Sequence, residues 1–182
     1  MTFSHKAVYG TSGMGKSWLM KRLANRYKAH KQKMLVYTGA GDFEGWPSGV
    51  PITTEPDQLE EWLRDPKNFR SFVFLDEITV LYEEAKKKTH SEIYGLFMRG
   101  RHKGYTAFGA TQYPTGMIKR NRVNCGECYC FKLGDEESAK LVWRDYGQRM
   151  IDGRPVWEII LELQKLEFLH FLPDGGVKKM CL

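Results

Sequence analysis

The stretch Gly10-Thr11-Ser12-Gly13-Met14-Gly15-Lys16-Ser17 decides how the rest of the chain is read. It fills every fixed position of the pattern G-x-x-x-x-G-K-[ST]. The chemistry of phosphate binding asks for these residue types. Glycines let the backbone curl so that successive N–H groups face phosphate oxygens, and the following helix adds its positive end. Lys16 then reaches the β- and γ-phosphates, while the Ser17 hydroxyl is placed to ligate Mg²⁺. The flanks decide against an ordinary Gly-rich turn. An apolar run, Ala7-Val8-Tyr9, precedes the stretch, and Leu19, Met20, Leu23, Ala24 and Tyr27 follow it at helical spacing. Strand, loop and helix is the setting the motif needs, so Gly10 to Ser17 is read as a nucleotide site taking ATP and Mg²⁺.

Outward from this loop, the chain alternates strand and helix signals. A helix is expected from Lys16 to about His30, then a strand at Met34-Leu35-Val36-Tyr37 with a turn at Gly39-Ala40-Gly41. Phe43 to Pro56 reads as loop, followed by a short helix over Asp57–Arg64. Ser71-Phe72-Val73-Phe74-Leu75-Asp76-Glu77 is a continuous apolar run ending in two acids, the pattern of a parallel strand buried on both faces. A charged helix is expected from Glu83 to about Gly100 and a buried strand over Tyr105 to Gln112. A turn with a short basic helix spans Pro114 to Arg122. A fifth strand covers Cys128 to Leu133, and a helix follows over Glu136–Arg149. In the tail, Trp157, Ile159, Leu161 and Leu163 alternate, as do Leu166, Phe168, His170 and Leu172. This favours a β-hairpin, although Ile159, Ile160 and Leu163 also suit a helix. The expected fold class is α/β with a mainly parallel sheet flanked by helices.

Composition bounds the possibilities. A chain of 182 residues is expected to form one domain, residues 1–182, with a core at about 5–133 and a C-terminal helix and hairpin at about 135–173. No apolar run approaches the ~20 residues that span a bilayer. The N-terminus lacks the apolar core of a signal peptide and runs straight into the phosphate loop, so an intracellular protein without a cleaved leader is expected. Four cysteines do not make a disulfide scaffold and suit a reducing compartment. A formal charge of +6 suits a polyanionic partner such as nucleic acid.

Three further elements sharpen the chemistry. Asp76, closing a buried strand beside the phosphate loop, is placed to hold Mg²⁺, and Glu77 is placed to polarise the attacking water. The same pair also suits a helix N-terminus, favoured by the dipole. Gln112 ends the next strand, which brings its amide toward the same crevice. Phe97-Met98-Arg99-Gly100-Arg101-His102-Lys103-Gly104 packs cations between glycines. It reads either as a solvated basic helix end or as the source of an arginine finger for a neighbouring subunit.

An early phosphate loop, an apolar strand ending in Asp-Glu, then RGRHKG, then a strand ending in ATQYP resembles the FtsK–HerA superfamily of ring-forming, DNA-pumping ATPases. Within it, the compact chain is similar to the genome-packaging ATPases of membrane-containing viruses and phages. The resemblance covers about residues 5 to 133 and implies a RecA-like (ASCE) P-loop core. It implies that Lys16 and Ser17 bind phosphate and Mg²⁺, that Asp76 is the second-motif acid, and that Glu77 is the catalytic base. Gln112 becomes the sensor, and Arg101, with Arg99 second, the finger acting in trans. The implied partners are double-stranded DNA held by its phosphates, a homo-oligomeric ring (hexamer or pentamer), and a capsid vertex or membrane protein. The implied location is the virion or host cytoplasm. A sister branch, the zonula-occludens-toxin-like assembly proteins of filamentous phages, shares an Arg-His-x-Gly stretch and a Thr-Gln strand end but continues into a membrane span. A small nucleotide kinase and a nucleotide-gated scaffold are the other readings. The Asp-Glu pair favours hydrolysis over both.

Candidate DNA contacts are Lys86-Lys87-Lys88 and the set Lys119, Arg120, Arg122, each of which also suits an exposed helix face. Cys125, Cys128 and Cys130 contain one C-x-x-C half-site for zinc but lack a second pair, and cysteine is equally at home in a sheet core. Trp18 lies either against the nucleotide's base or ribose, or in the core.

Overall fold

The computed structural model describes residues 4–87 and 90–182. Its elements in chain order are β1 (His5–Tyr9), α1 (Lys16–Ala29), β2 (Met34–Thr38), β3 (Ile52–Thr53), α2 (Pro56–Arg64) and β4 (Phe72–Asp76). There follow α3 (Ile78–Lys87), α4 (Ser91–Arg99), β5 (Thr106–Thr111), α5 (Lys119–Arg122), β6 (Cys125–Phe131) and α6 (Glu136–Asp145). The chain closes with β7 (Met150–Ile151), β8 (Arg154–Pro155), α7 (Val156–Glu162), β9 (Glu167–Phe171) and β10 (Val177–Cys181).

Eight strands form one sheet in the order β10-β9-β6-β1-β5-β4-β2-β3. From β6 to β3 all neighbours are parallel, while β9 joins β6 and β10 joins β9 in antiparallel fashion. The expected class is therefore observed: a mainly parallel sheet flanked by helices, with a C-terminal hairpin. The apolar strand runs are buried along their whole length in β1, β2, β4 and β5 because both sheet faces are covered. On one face α1 packs Leu19, Met20 and Ala24 against Val8, Val36, Phe74 and Phe108. On the other lie Leu59 and Leu63 of α2, Leu81 and Ala85 of α3, Ile93 and Phe97 of α4, and the apolar sides of α6 and α7.

One feature of the order matters most for function. β5 lies between β1, which leads into the phosphate loop, and β4, which ends in Asp76. The carboxyl end of β5 is therefore carried into the gap between loop and acid.

The structure corrects several expected boundaries. The helix expected from Glu83 to Gly100 is two helices, and the first begins at Ile78, directly after Glu77. Ile78, Leu81, Tyr82 and Ala85 supply the buried stripe of α3 at helical spacing. A separate start for α4 is supported by Glu60 on α2, whose buried carboxylate accepts the backbone N–H groups of Glu92 (3.1 Å) and Ile93 (2.9 Å). The arm of the expected hairpin over Trp157–Leu163 is helix α7, with Val156 and Ile160 one turn apart facing the core. The hairpin is instead made by β9 and β10, whose Lys178 and Lys179 are exposed on the sheet edge. β6 starts at Cys125, and α6 stops at Asp145, before Gly147 (φ 87°) and Gln148 (φ 53°).

Candidate active site

The phosphate loop is braced from behind by the end of β6 and by the C-terminal hairpin. The Thr11 backbone N–H donates to the Lys132 carbonyl at 2.9 Å, and the Leu166 N–H donates to the Met14 carbonyl at 3.1 Å. Two glycines are required by this packing. A Cβ at Gly10 (φ 154°) would stand 2.6 Å from the Cβ of Phe131. One at Gly15 (φ 113°) would meet Leu166 at 2.9 Å.

Lys16 is 8% exposed, and its ammonium donates to the Thr11 carbonyl at 3.1 Å. Burial pushes its pKa below the usual lysine value, while Glu77 and Asp76 nearby act to keep it charged. The Ser17 hydroxyl lies beside the Asp76 carboxylate and acts to keep it charged. Burial raises the Asp76 pKa above the usual carboxylate value, against the lowering effects of Ser17 and Lys16. These groups are poorly solvated, so their attraction to phosphate or a divalent cation is screened less than in bulk water.

Glu77 is placed by its backbone. It adopts φ 64°, the left-handed region that costs an L residue roughly 1–2 kcal/mol, between the end of β4 and the first turn of α3. This single bend separates two adjacent acids: Asp76 stays with the strand and Glu77 is turned to the crevice.

A crevice of about 290 Å³ is lined by Ser12, Gly15, Lys16, Asp76, Glu77 and Gln112. An adjoining space of about 540 Å³ continues past Glu77 and Gln112 to Thr79, Val80 and Tyr113. The loop, the two acids and the strand-end amide picked out from the sequence thus meet at the carboxyl ends of β1, β4 and β5. Trp18 lies at the mouth, 52% exposed, with the Arg22 guanidinium 5.6 Å from its ring centroid. It is not part of the core.

The donor set fits Mg²⁺. Ser17 and Asp76 offer hard oxygens, and among the described residues no group of three or more His, Cys, Asp or Glu is placed to hold a metal alone. An ion held by one hydroxyl, one carboxylate, substrate phosphates and water needs no more.

The basic turn is elsewhere. Gly100–Lys103 forms a 3₁₀ turn that leads into the amino end of β5, at the opposite end of the parallel strands from the phosphate loop. Gly104 (φ 78°) fixes this turn, since a Cβ there would lie 3.1 Å from the Arg70 Cα. Its cations are in different situations. Arg99 folds back on α4, donating to the Ser91 carbonyl at 3.1 Å across Gly95. Lys103 pairs with Glu92 at 2.7 Å. Arg101 is exposed, with a 3.3 Å hydrogen bond to the Asn124 side chain.

The remaining expectations divide. Lys119 and Arg120 are exposed, but Arg122 is buried, paired with Asp145 at 2.8 Å and donating to the Met117 carbonyl at 2.9 Å. It is a structural residue rather than a free cation for DNA. Lys86 is exposed at the end of α3; the Lys87 side chain and Lys88 lie outside the described residues. Cys125, Cys128 and Cys130 are buried in the apolar core, where burial pushes their thiols up. Cys125 lies against Met117 and the Asn121 carbonyl rather than in a ligand cluster.

Thr38 closes β2 next to Asp76, one residue beyond the strand end expected at Tyr37. A polar residue at the carboxyl end of an apolar run was the available signal, the same one that marked Asp76 and Gln112. Leu166, which braces the loop, carried no such signal.

No family model matches the chain, and no curated protein matches it at a significant level. Solved structures do. The genome packaging NTPase B204 from Sulfolobus turreted icosahedral virus 2, in complex with ATP-γS, superposes with a TM-score of 0.77 at 16% identity, covering 100% of both chains. The same protein with AMPPCP gives a TM-score of 0.76 at 16% identity over 98% of this chain and 97% of that one. The pCW3 conjugation coupling protein TcpA, in its monomer form with ATPγS, gives 0.74 at 15% identity over 99% of this chain and 60% of its own. At these identities the likeness is one of fold, and the chain has the fold of these P-loop NTPases.

Proposed function

We propose that this chain is an ATPase of the FtsK–HerA kind that assembles as a ring and hydrolyses ATP to move double-stranded DNA, the work being viral genome packaging. The observation that carries this reading is a separation. Lys16, Asp76, Glu77 and Gln112 share one crevice, while Arg101 lies at the far end of β5, whose six residues span about 20 Å. Arg101 is thus out of reach of its own crevice and exposed to a neighbour. Among the described residues no arginine lines either part of the crevice, which leaves Lys16 as its resident cation.

In this reading Lys16 and the loop N–H groups hold the β- and γ-phosphates. Ser17 and Asp76 hold Mg²⁺, which when bound neutralises charge on the phosphate oxygens. Glu77 accepts a proton from a water lined up behind the γ-phosphate, and Gln112 orients that water. Arg101 of the next subunit meets the charge that develops on the transferred group. Each interface then joins one subunit's crevice to another's amino-end turn, a head-to-tail contact that closes into a ring. Exposed Val80 and Tyr113 beside Glu77 are apolar surface for that neighbour to cover. Lys86, Lys119 and Arg120 are the remaining candidates for phosphate contacts with DNA. A place in the virion or host cytoplasm goes with this reading. Among the described residues no helix is long and apolar enough to cross a membrane. The end-to-end overlap with a packaging NTPase supports packaging as the work done.

ATP turnover measured against protein concentration, with and without double-stranded DNA, tests the reading. Turnover per subunit is expected to rise with concentration and with DNA, and Arg101→Ala to remove it without loss of ATP binding. A flat rate, indifferent to DNA and to Arg101→Ala, overturns it. A phosphorylated nucleoside product would replace it with a kinase.

A further inference from the structure

Thr38 is fully buried, and its hydroxyl has no hydrogen-bond partner among the described residues. Buried polar groups are paired as a rule, and an unpaired one asks for an explanation. Its position supplies one. In the parallel ladder Thr38 is the register partner of Asp76. Met34 and Val36 before it, like Phe72 and Phe74 before Asp76, belong to the core under α1. Strand alternation therefore turns Thr38 and Asp76 to that same face, where the start of α1 brings Ser17 onto the Asp76 carboxylate. Valine would fill the place of Thr38 as it does at Val36, without an unpaired oxygen.

We propose that Thr38 is a positioning residue for the metal–nucleotide complex. Its hydroxyl completes the hydrogen bonding of a water in the Mg²⁺ shell that Asp76 also holds. The proposal rests on the reading of the crevice as an ATP–Mg²⁺ site and adds a residue to it. Partners that orient the ligands and waters of a metal site contribute to its affinity without touching the ion.

The test uses Thr38→Val and Thr38→Ser in the full chain, with Mn²⁺ as the paramagnetic probe and a non-hydrolysable ATP analogue. Thr38→Val is expected to melt about 2–4 °C higher without nucleotide, because an unpaired buried hydroxyl has been removed. It should bind Mn²⁺ in the nucleotide complex about tenfold more weakly, within the range for outer-shell partners. Its affinity for the analogue in EDTA should be unchanged, and Thr38→Ser should keep wild-type Mn²⁺ affinity. Wild-type Mn²⁺ affinity in Thr38→Val overturns the proposal, and so does a loss that serine fails to rescue, which would assign the effect to packing. Asp76→Asn separates the two levels. If it weakens Mn²⁺ binding while Thr38→Val does not, the Thr38 assignment alone fails. If neither variant changes it, the crevice is not the metal–nucleotide site.

Discussion

At the carboxyl end of the sheet the charged groups are buried and the backbone is bent to aim them. At the amino end the basic turn is well fixed, yet its Arg101 stands in solvent. Lys16 and Asp76 are each 8% exposed, and Glu77 is held at φ 64°. In the basic turn, by contrast, Gly104 and the neighbouring hydrogen bonds fix the backbone, Arg99 and Lys103 are tied to their own subunit, and Arg101 is left exposed. Binding and aligning a triphosphate calls for groups already desolvated and aimed within one chain. A group meant for a neighbour calls for a rigid base and an unburied tip. In the function we propose, one end supplies the binding site and the other the arginine that a neighbour's site lacks.

Four outcomes would sharpen or break this contrast. Glu77→Gln should lower turnover by about 10³-fold while ATP affinity, read by calorimetry, stays within about twofold, because only the base is lost. Arg101→Ala should cost about 10³-fold in turnover of the assembled protein, whereas Arg99→Ala, whose guanidinium is occupied on α4, should change it by no more than about threefold. If the two arginines exchange these effects, the contrast as drawn is wrong. A smaller and opposite effect is expected from Glu77→Gly. It should lose turnover yet raise stability by about 0.5–1 kcal/mol in urea melts, because glycine accepts the left-handed conformation without strain.

The last outcome concerns pH at the amino end. Burial, with help from Arg101 and Lys6, pushes His5 down to about 4, and its Nδ1 accepts the Ala107 N–H at 3.1 Å. The folded chain therefore keeps His5 neutral where the unfolded chain, near its ordinary 6.5, takes up a proton. Stability should fall as pH drops from about 6.5 toward 4, and His5→Gln should flatten that slope in melts at pH 7, 5.5 and 4.5.

Most of the crevice was legible in the sequence because its parts are strand ends. An apolar run that stops at Asp76-Glu77 or at Thr111-Gln112 marks the carboxyl edge of a parallel sheet, and parallel strands put those edges together. The phosphate loop was legible because its glycines answer to steric needs that few other residues meet. Less legible was whatever depends on contacts distant in sequence. The separate start of α4 at Ser91 is supported by Glu60, a residue of α2. The alternation of Trp157 to Leu163 fits a strand as well as a helix until α6 is there to receive Val156 and Ile160. The left-handed bend at Glu77 has no sequence mark, since glutamate does not favour it. Nor does the residue type tell Arg99 from Arg101; only the path of α4 does.

The central claim is that each active site is shared between two copies. It is tested most directly by mixing two inactive variants: Lys16→Ala, with an intact Arg101 but a disabled loop, and Arg101→Ala, with the converse. If Arg101 acts on a neighbour, an equal mixture should regain turnover in about a quarter of its sites, those where a good loop meets a good arginine. If the mixture remains as inactive as either variant alone, under conditions where the subunits assemble, Arg101 does not complete a neighbour's crevice and the account of a shared site is wrong.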